Sequence, residues 1–159
     1  IERLGAMYPE LNIVFLRPSV VYGPGDNFDP ETSHVIPSLV RKVAERQNPI
    51  TIWGDGTNWR DGVYIDDMVR ALLLAADAPA GAYNIASGGG MTVTEMWKVL
   101  VLHANNFIAH PPIFDTSKPA MLKKRVLAID KARRVMGWEP KIPMPYGLKL
   151  TLDAYAKSL

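Results

Sequence analysis

The sequence holds no cysteine, which excludes a disulfide framework, a thiolate metal site and a thiol nucleophile. A reducing compartment is compatible with that absence. No apolar run approaches the roughly 18 residues that a membrane-spanning helix needs, because Arg, Asp, Pro or Lys interrupts every candidate. Charge of one sign is scarce as well: 18 Lys and Arg against 16 Asp and Glu leave +2. Duplex-binding proteins carry a concentrated basic face instead, so a nucleic-acid partner is not expected. Internal repeats and low-complexity tracts are also missing. What is present is a globular composition over 159 residues, 48 % hydrophobic and 21 % charged, which can build a core and is too apolar for wholesale disorder. The 12 Gly and 13 Pro predict many turns and loops.

Periodicity predicts an alternating α/β order. Residues 1 to 8 read as the last turns of a helix closed by Pro9. The run Leu11 to Leu16 is almost continuously apolar, the pattern of a strand buried on both faces. Pro18 to Ser33 is a loop by composition, and residues 34 to 46 carry Val35, Ile36, Leu39, Val40 and Val43 at helical spacing. A short strand over Ile50 to Trp53 ends in the turn Gly54-Asp55-Gly56, and Asp66 is placed to cap the next helix. Ala82 to Ala86 reads as another short strand. Thr92 and Glu95 have capping-box spacing at the head of a helix reaching about His103. Residues 105 to 125 read as loop with one strand, Asp130 starts a short helix that Gly137 stops, and a last helix covers 146 to 158.

The segment after the first strand, Arg17-Pro18-Ser19-Val20-Val21-Tyr22-Gly23-Pro24-Gly25-Asp26-Asn27-Phe28, is a site candidate on physical grounds. Open α/β sheets bind ligands beyond the carboxyl ends of their strands, and this loop is polar and stiffened by Pro and Gly. An ordinary structural turn is the alternative. The one local excess of charge, Lys123, Lys124 and Arg125 with Lys131, Arg133 and Arg134, reads either as a solvated face or as a phosphate-facing lip.

These residues carry a resemblance. Arg17-Pro18 through Tyr22-Gly23-Pro24, then Trp53-Gly54-Asp55-Gly56 with Arg60-Asp61, Tyr64-Ile65-Asp66-Asp67, Tyr83-Asn84-Ile85, and Asp130-Lys131 with Gly137-Trp138 follow one another as in extended short-chain dehydrogenases/reductases. These are the NAD-dependent epimerases and dehydratases of nucleotide sugars. Asp26-Asn27-Phe28-Asp29-Pro30, Ser33-His34-Val35-Ile36-Pro37 and Asp115-Thr116-Ser117-Lys118-Pro119 are most similar to the fucose-synthase branch, which epimerises a GDP-4-keto-6-deoxymannose at C3 and C5 and reduces C4.

The resemblance implies roles. His34 would be the general acid, Arg60 the grip on the diphosphate, and Trp53, Val35 and Leu39 walls around base and sugar. Lys118 would contact the nucleotide, and Pro18 and Ser19 would lie beside the nicotinamide. Histidine suits proton exchange near neutral pH, and a guanidinium makes two-pronged contacts to phosphate oxygens. Surface capping for His34, an ion pair with Asp61 or Asp66 for Arg60, and core packing for Val35 and Leu39 are the structural alternatives. Tyr22, Asn84 and Asp67 are assigned to holding loops and helix starts. Val20 stands where the family usually has a substrate-contacting Asn, and Ala120-Met121 replace the family's Asp-Gly.

The sequence contains no G-x-x-G-x-x-G and no Tyr-x-x-x-Lys; Tyr146 and Lys149 have the wrong spacing. It opens with Ile1. The expected architecture is therefore the carboxyl-terminal, substrate-binding half of an extended Rossmann-type enzyme, an incomplete parallel sheet plus a small α/β lobe. NAD or NADP would belong to the full-length parent and would not be held tightly here. The expected partners are a nucleotide-sugar substrate and a second copy, as homodimer or swapped assembly, covering the sheet; nucleic acid and membrane are not expected, and the expected location is cytoplasmic. A UDP-sugar 4-epimerase, a dTDP-sugar 4,6-dehydratase and a non-catalytic binding module are the competing readings. The purified chain is expected to show no NAD(P)H-dependent turnover, and any such activity in a spectrophotometric assay would sink this reading.

Overall fold

The computed structural model describes residues 7, 8, 10–105, 107, 109–118 and 122–159. The expected helix over residues 1 to 8, with its stop at Pro9, falls almost wholly outside them. Strand β1 (Val14–Pro18) begins later than its sequence pattern predicts. Leu11 is 53 % exposed, and the Asn12 amide is turned onto the Ala78 carbonyl at 3.0 Å. Val14, Phe15 and Leu16 are half-buried, short of the two-sided burial expected, because among the described residues β1 pairs on one side only.

Strand β2 (Val20–Tyr22) lies inside the segment read as loop. Its Val-Val-Tyr run is β-branched and aromatic, but flanking Pro and Gly mask it. Helix α1 (Val35–Ala44) follows, then β3 (Thr51–Trp53), β4 (Trp59–Arg60), β5 (Gly62–Tyr64) and helix α2 (Ile65–Ala75). Next come β6 (Gly81–Ile85), β7 (Met91–Thr92), helix α3 (Val93–His103), β8 (Ile113–Asp115), β9 (Lys124–Arg125), a π-helical segment (Ala132–Met136) and helix α4 (Met144–Ala156).

The pairings are short and mostly parallel. β1 joins β6, β2 joins β5 and β3 joins β8, while β4 lies between antiparallel β7 and parallel β9. Two cores result. In one, α1, α3 and α4 pack on each other through Ile36, Leu39, Val40, Val43, Met96, Leu100, Leu148 and Leu152. In the other, β6, α2 and the π-helical segment enclose Tyr83, Ile85, Ala71 and Trp138.

The β2–β5 pair stands between them and feeds both, because successive strand side chains point to opposite faces. Tyr22 and Tyr64 enter the helical core with ring centroids 5.8 Å apart, edge to face, whereas Val63 enters the other. Burial pushes the Tyr22 hydroxyl well above its ordinary pKa, and it donates at 3.4 Å to the Met144 carbonyl. Gly147 makes room there, since a Cβ at that position would come within 2.4 Å of the hydroxyl oxygen.

The capping box forms as the spacing predicts: Thr92 Oγ1 accepts from Glu95 N at 3.1 Å, and Glu95 Oε2 accepts from Thr92 N at 2.8 Å. Asp66 is a correction. Helix α2 starts at Ile65 after Tyr64, Asp66 is an exposed first-turn residue, and no side chain caps the helix. Its neighbour Asp67, 1 % exposed, is the anchor. That carboxylate accepts from Lys141 N at 3.0 Å and Ile142 N at 2.8 Å, and pairs with Arg70 at 3.0 Å. Its backbone carbonyl accepts from the indole of the fully buried Trp138 at 3.0 Å. The short helix expected from Asp130 is the π-helical segment, and Gly137 ends it at φ 64.

Asp67→Ala would leave the Lys141 and Ile142 N–H groups without their acceptor, so a loss of about 1–3 kcal/mol in unfolding free energy is expected. Urea denaturation of the purified chain measures it; a loss below about 1 kcal/mol would show that other contacts hold the 140s segment.

Candidate functional site

Three groups of sequence-predicted residues emerge at strand and helix ends. The first lies beyond β1 and β2. Pro18 is exposed and Ser19 half-buried, its N–H donating to the Ile85 carbonyl at 2.9 Å. Its hydroxyl oxygen is enclosed and meets no hydrogen-bond partner among the described residues. Val20 packs against the helical core.

The loop from Gly23 to Ser33 is braced by its own side chains. Asn27 Nδ2 donates to Thr32 Oγ1 at 3.0 Å, and Asp29 Oδ1 accepts from Thr32 Oγ1 at 2.8 Å, Thr32 N at 2.9 Å and Glu31 N at 3.0 Å. These bonds hold the Asp29 carboxyl below its ordinary pKa, the Thr32 hydroxyl being the largest cause. Phe28 packs on Tyr155 of α4, ring centroids 4.3 Å apart.

The braced loop delivers His34 to the head of α1. The residue is exposed, its backbone is extended, and its imidazole makes no capping bond. Nearby, burial raises the Asp26 carboxyl, opposed by a backbone N–H bond from Asn27 and by the charge of His34. Farther along α1, Val35 is half-buried on the rim of the helical core and Leu39, 3 % exposed, lies inside it; both pack there.

The second group is Trp53 with Lys118. Register places Trp53 opposite Asp115 on β3 and β8. Asp115 Oδ1 accepts from Ser117 Oγ at 2.5 Å and Ser117 N at 3.1 Å, and that turn brings Lys118 Nζ 5.4 Å from the centre of the Trp53 ring. Trp53 is 67 % exposed. An exposed indole with a lysine over its ring is suited to stacking with a flat ring.

The third group is Arg60 with the basic strand. Arg60 stands opposite Arg125 on β4 and β9, and beside them Lys124 Nζ lies 5.5 Å from the centre of the Trp59 ring. Burial first, then the charge of Arg125, pulls the Arg60 guanidinium below its ordinary pKa. Its Nη1 donates to the carbonyls of Trp59 at 2.8 Å and Leu122 at 2.9 Å. Neither Asp61 nor Asp66 pairs with it. Asp61 is 3 % exposed and bonds instead to Ser87 and Leu127, and none of the ion pairs among the described residues includes Arg60 or Arg125.

Sequence reasoning flagged Arg125 only as part of a basic excess. It missed Trp59 and the pairing of Arg125 with Arg60, because β4 and β9 are two residues each and carry no periodic signal. None of the described hydrogen bonds or ion pairs joins His34 to Arg60 or Trp53, while the turn between β3 and β4 links the last two. Asn84 does the holding work expected of it, donating to the Ala128 carbonyl at 3.0 Å. The Ala120-Met121 departure lies outside the described residues.

A cavity of about 200 Å³ opens elsewhere, among Arg46, His103, Phe107, Leu152 and Asp153, and includes none of the predicted residues. The described residues contain no group of three metal-ligating side chains, and no helix long and apolar enough to cross a membrane.

The sequence model of the NAD dependent epimerase/dehydratase family matches residues 1–86. A GDP-L-fucose synthase of Sinorhizobium fredii is 33 % identical over 154 residues, covering 93 % of this chain and 48 % of that protein. The crystal structure of UDP-glucose 4-epimerase with UDP-glucose from Thermotoga maritima is 32 % identical with a TM-score of 0.88, over 99 % of this chain and 50 % of that one. The Thermus thermophilus UDP-glucose 4-epimerase in complex with NAD is 28 % identical with a TM-score of 0.81, over 99 % of this chain and 52 % of that one. The chain belongs to the NAD dependent epimerase/dehydratase family. It spans about half the length of the curated relatives it matches.

The Asp115 turn gives the Lys118–Trp53 contact a pH dependence. The Ser117 hydroxyl and N–H hold this carboxyl below its ordinary pKa, so its contribution is present above the unfolded value and lost as pH falls through the depressed one. The Lys118–Trp53 contact is expected to be constant from pH 7 to about pH 4 and to open below it. The emission difference between the chain and Trp53→Phe reads this; Asp115→Ala is expected to show the open signal already at pH 7, and identity with the unaltered chain would refute the assignment.

Proposed function

We propose that residues 1–159 are the nucleotide-sugar-binding part of an NAD(P)-dependent epimerase/reductase, and that the reaction served is of the fucose-synthase type. That reaction is epimerisation of a GDP-bound 4-keto-6-deoxymannose at C3 and C5, followed by reduction at C4. The observation that carries the reading is the Arg60–Arg125 register. Two permanently charged guanidinium groups stand on adjacent strands with no carboxylate partner among the described residues, an arrangement suited to a diphosphate. Trp53 would stack with the base, with Lys118 over its ring. His34, exposed at the head of α1, would return a proton to the sugar carbon from which a base has removed one. Val35 would border the sugar from the same helix, and Leu39 would back it from the core.

Pro18 and Ser19 fit an edge contact with a nicotinamide, since the enclosed Ser19 hydroxyl is a polar atom in want of a partner. When bound, the dinucleotide supplies the hydride chemistry. The sequence carries no Gly-rich loop to cradle its pyrophosphate, so tight binding by this chain alone is not expected. A second copy covering the edge of β1 that is unpaired among the described residues, as homodimer or swapped assembly, and a cytoplasmic setting belong to the same proposal.

One observation favours a second reading. Val20 packs on the core and has no amide to offer a sugar hydroxyl, which fits a non-catalytic binding module, while a UDP-sugar 4-epimerase and a dTDP-sugar 4,6-dehydratase are the other competing readings.

Calorimetric titration with GDP, UDP and dTDP separates these readings. Saturable binding of GDP, weakened about tenfold or more by Arg60→Ala, is the expected result. Preference for UDP or dTDP would move the assignment to the epimerase or the dehydratase reading. Absence of binding to all three would overturn an autonomous nucleotide cleft.

A further inference from the structure

The two arginines raise a question of cohesion. Like charges set opposite each other on neighbouring strands repel, and here the strands concerned have two residues each. Two β-bridges do not hold such a pair by themselves. Whatever fixes the geometry has to act on the backbone just outside Arg60 and Arg125 and leave their guanidinium groups unneutralised.

One side chain meets both conditions. Asp61 follows Arg60 directly, and Leu127 is two residues beyond Arg125. Asp61 Oδ2 accepts from Leu127 N at 3.0 Å, while Oδ1 accepts from Ser87 N at 2.9 Å and Ser87 Oγ at 2.5 Å. The Ser87 oxygen in turn accepts from Gly89 N at 3.3 Å and Gly90 N at 3.0 Å. That turn closes directly onto β4: a Cβ at Gly90 would lie 2.7 Å from the Arg60 carbonyl oxygen, so only a glycine passes there. β7 begins at the next residue, opposite Arg60. A single carboxylate therefore ties down β4, the turn leading into β7, and the segment leaving β9. Its oxygens accept from N–H and O–H donors, and it forms no ion pair with Arg60.

We infer that Asp61 is the positioning residue of the diphosphate grip: its buried carboxylate, through Ser87 and Leu127, fixes the backbone on which Arg60 and Arg125 stand side by side. This rests on the reading of Arg60 and Arg125 as a diphosphate grip. Asp61 does not touch the ligand and acts through the two arginines. Asparagine at this position keeps the size and turns one acceptor into a donor facing Leu127 N or Ser87 N, so the grip loosens while the bulk of the fold remains. Ser87→Ala removes one donor and the acceptor of the Gly89–Gly90 turn, a milder version of the same lesion.

The probe is inorganic pyrophosphate, titrated calorimetrically into the purified chain at a temperature where circular dichroism shows each variant folded. Asp61→Asn is expected to weaken binding about tenfold and Ser87→Ala about threefold. The double variant Arg60→Ala/Asp61→Asn is expected to lose clearly less than the product of the two single losses, because only Arg125 is left to position. A purely structural role would lower the melting temperature without changing pyrophosphate affinity in the folded protein, and would leave the two lesions additive. If Asp61→Asn does not fold, Ser87→Ala and its combination with Arg60→Ala carry the test. Affinity within twofold of the unaltered chain in the folded variants, while Arg60→Ala is weakened, overturns the role of Asp61 and leaves the diphosphate reading standing. Arg60→Ala without effect, or no pyrophosphate binding by the unaltered chain, overturns the diphosphate reading and the role of Asp61 with it.

Discussion

Strand β5 is three residues long, and both cores depend on its register. Val63 faces one core and Tyr64 the other, so a one-residue slip would exchange the two faces and bury the wrong side chain on each. Three residues of parallel pairing to β2 do not by themselves enforce that register. The enforcement comes from a buried carboxylate on each side, Asp61 before the strand and Asp67 after it. Each accepts backbone N–H groups from segments far along the chain, 87 and 127 for Asp61, 141 and 142 for Asp67. Both carboxylates are buried and have to keep their donors, so these bonds are satisfied only when β5 is in place.

The candidate site inherits its geometry from the same arrangement. Arg60 is one residue before Asp61, and Trp53 is reached through the turn that opens β4. A cationic rim is thus attached to the most constrained part of the backbone, whereas His34 is delivered by a separate loop braced through Asn27, Asp29 and the Phe28–Tyr155 contact. The two halves of the site have independent supports.

What was legible in the sequence divides along physical lines. Helices announced themselves by spacing and caps: α1 and α3 lie where Ile36, Leu39, Val40 and Val43, and the Thr92–Glu95 box, place them. Strands of two or three residues carry too few positions for any period, and β2, β4, β5 and β9 went unread. Asp66 was read as a cap because it precedes an apolar period, but its neighbour Asp67 is the buried carboxylate, and the backbone donors it accepts from lie more than seventy positions away. Individual site residues were legible through motif resemblance, which named Arg60, Trp53, Lys118 and His34 without saying which would meet. The Lys118–Trp53 contact depends on a β3–β8 register between segments about sixty residues apart, and the Arg60–Arg125 register spans a similar distance.

Arg60 and Arg125 stand opposite each other on β4 and β9, which sets like charge on neighbouring strands. In the proposed reading, repulsion between them would raise the free energy of the unliganded state and be released by an anion entering between the charges, so resting stability and anion affinity would draw on one store. Monovalent salt would act on the two in opposite senses: screening would relax the empty protein and at the same time weaken its hold on a polyanion. A stiffer scaffold under the pair would tighten binding and leave the empty chain less stable, which sets a ceiling on how firmly so small a lobe can present adjacent guanidinium groups.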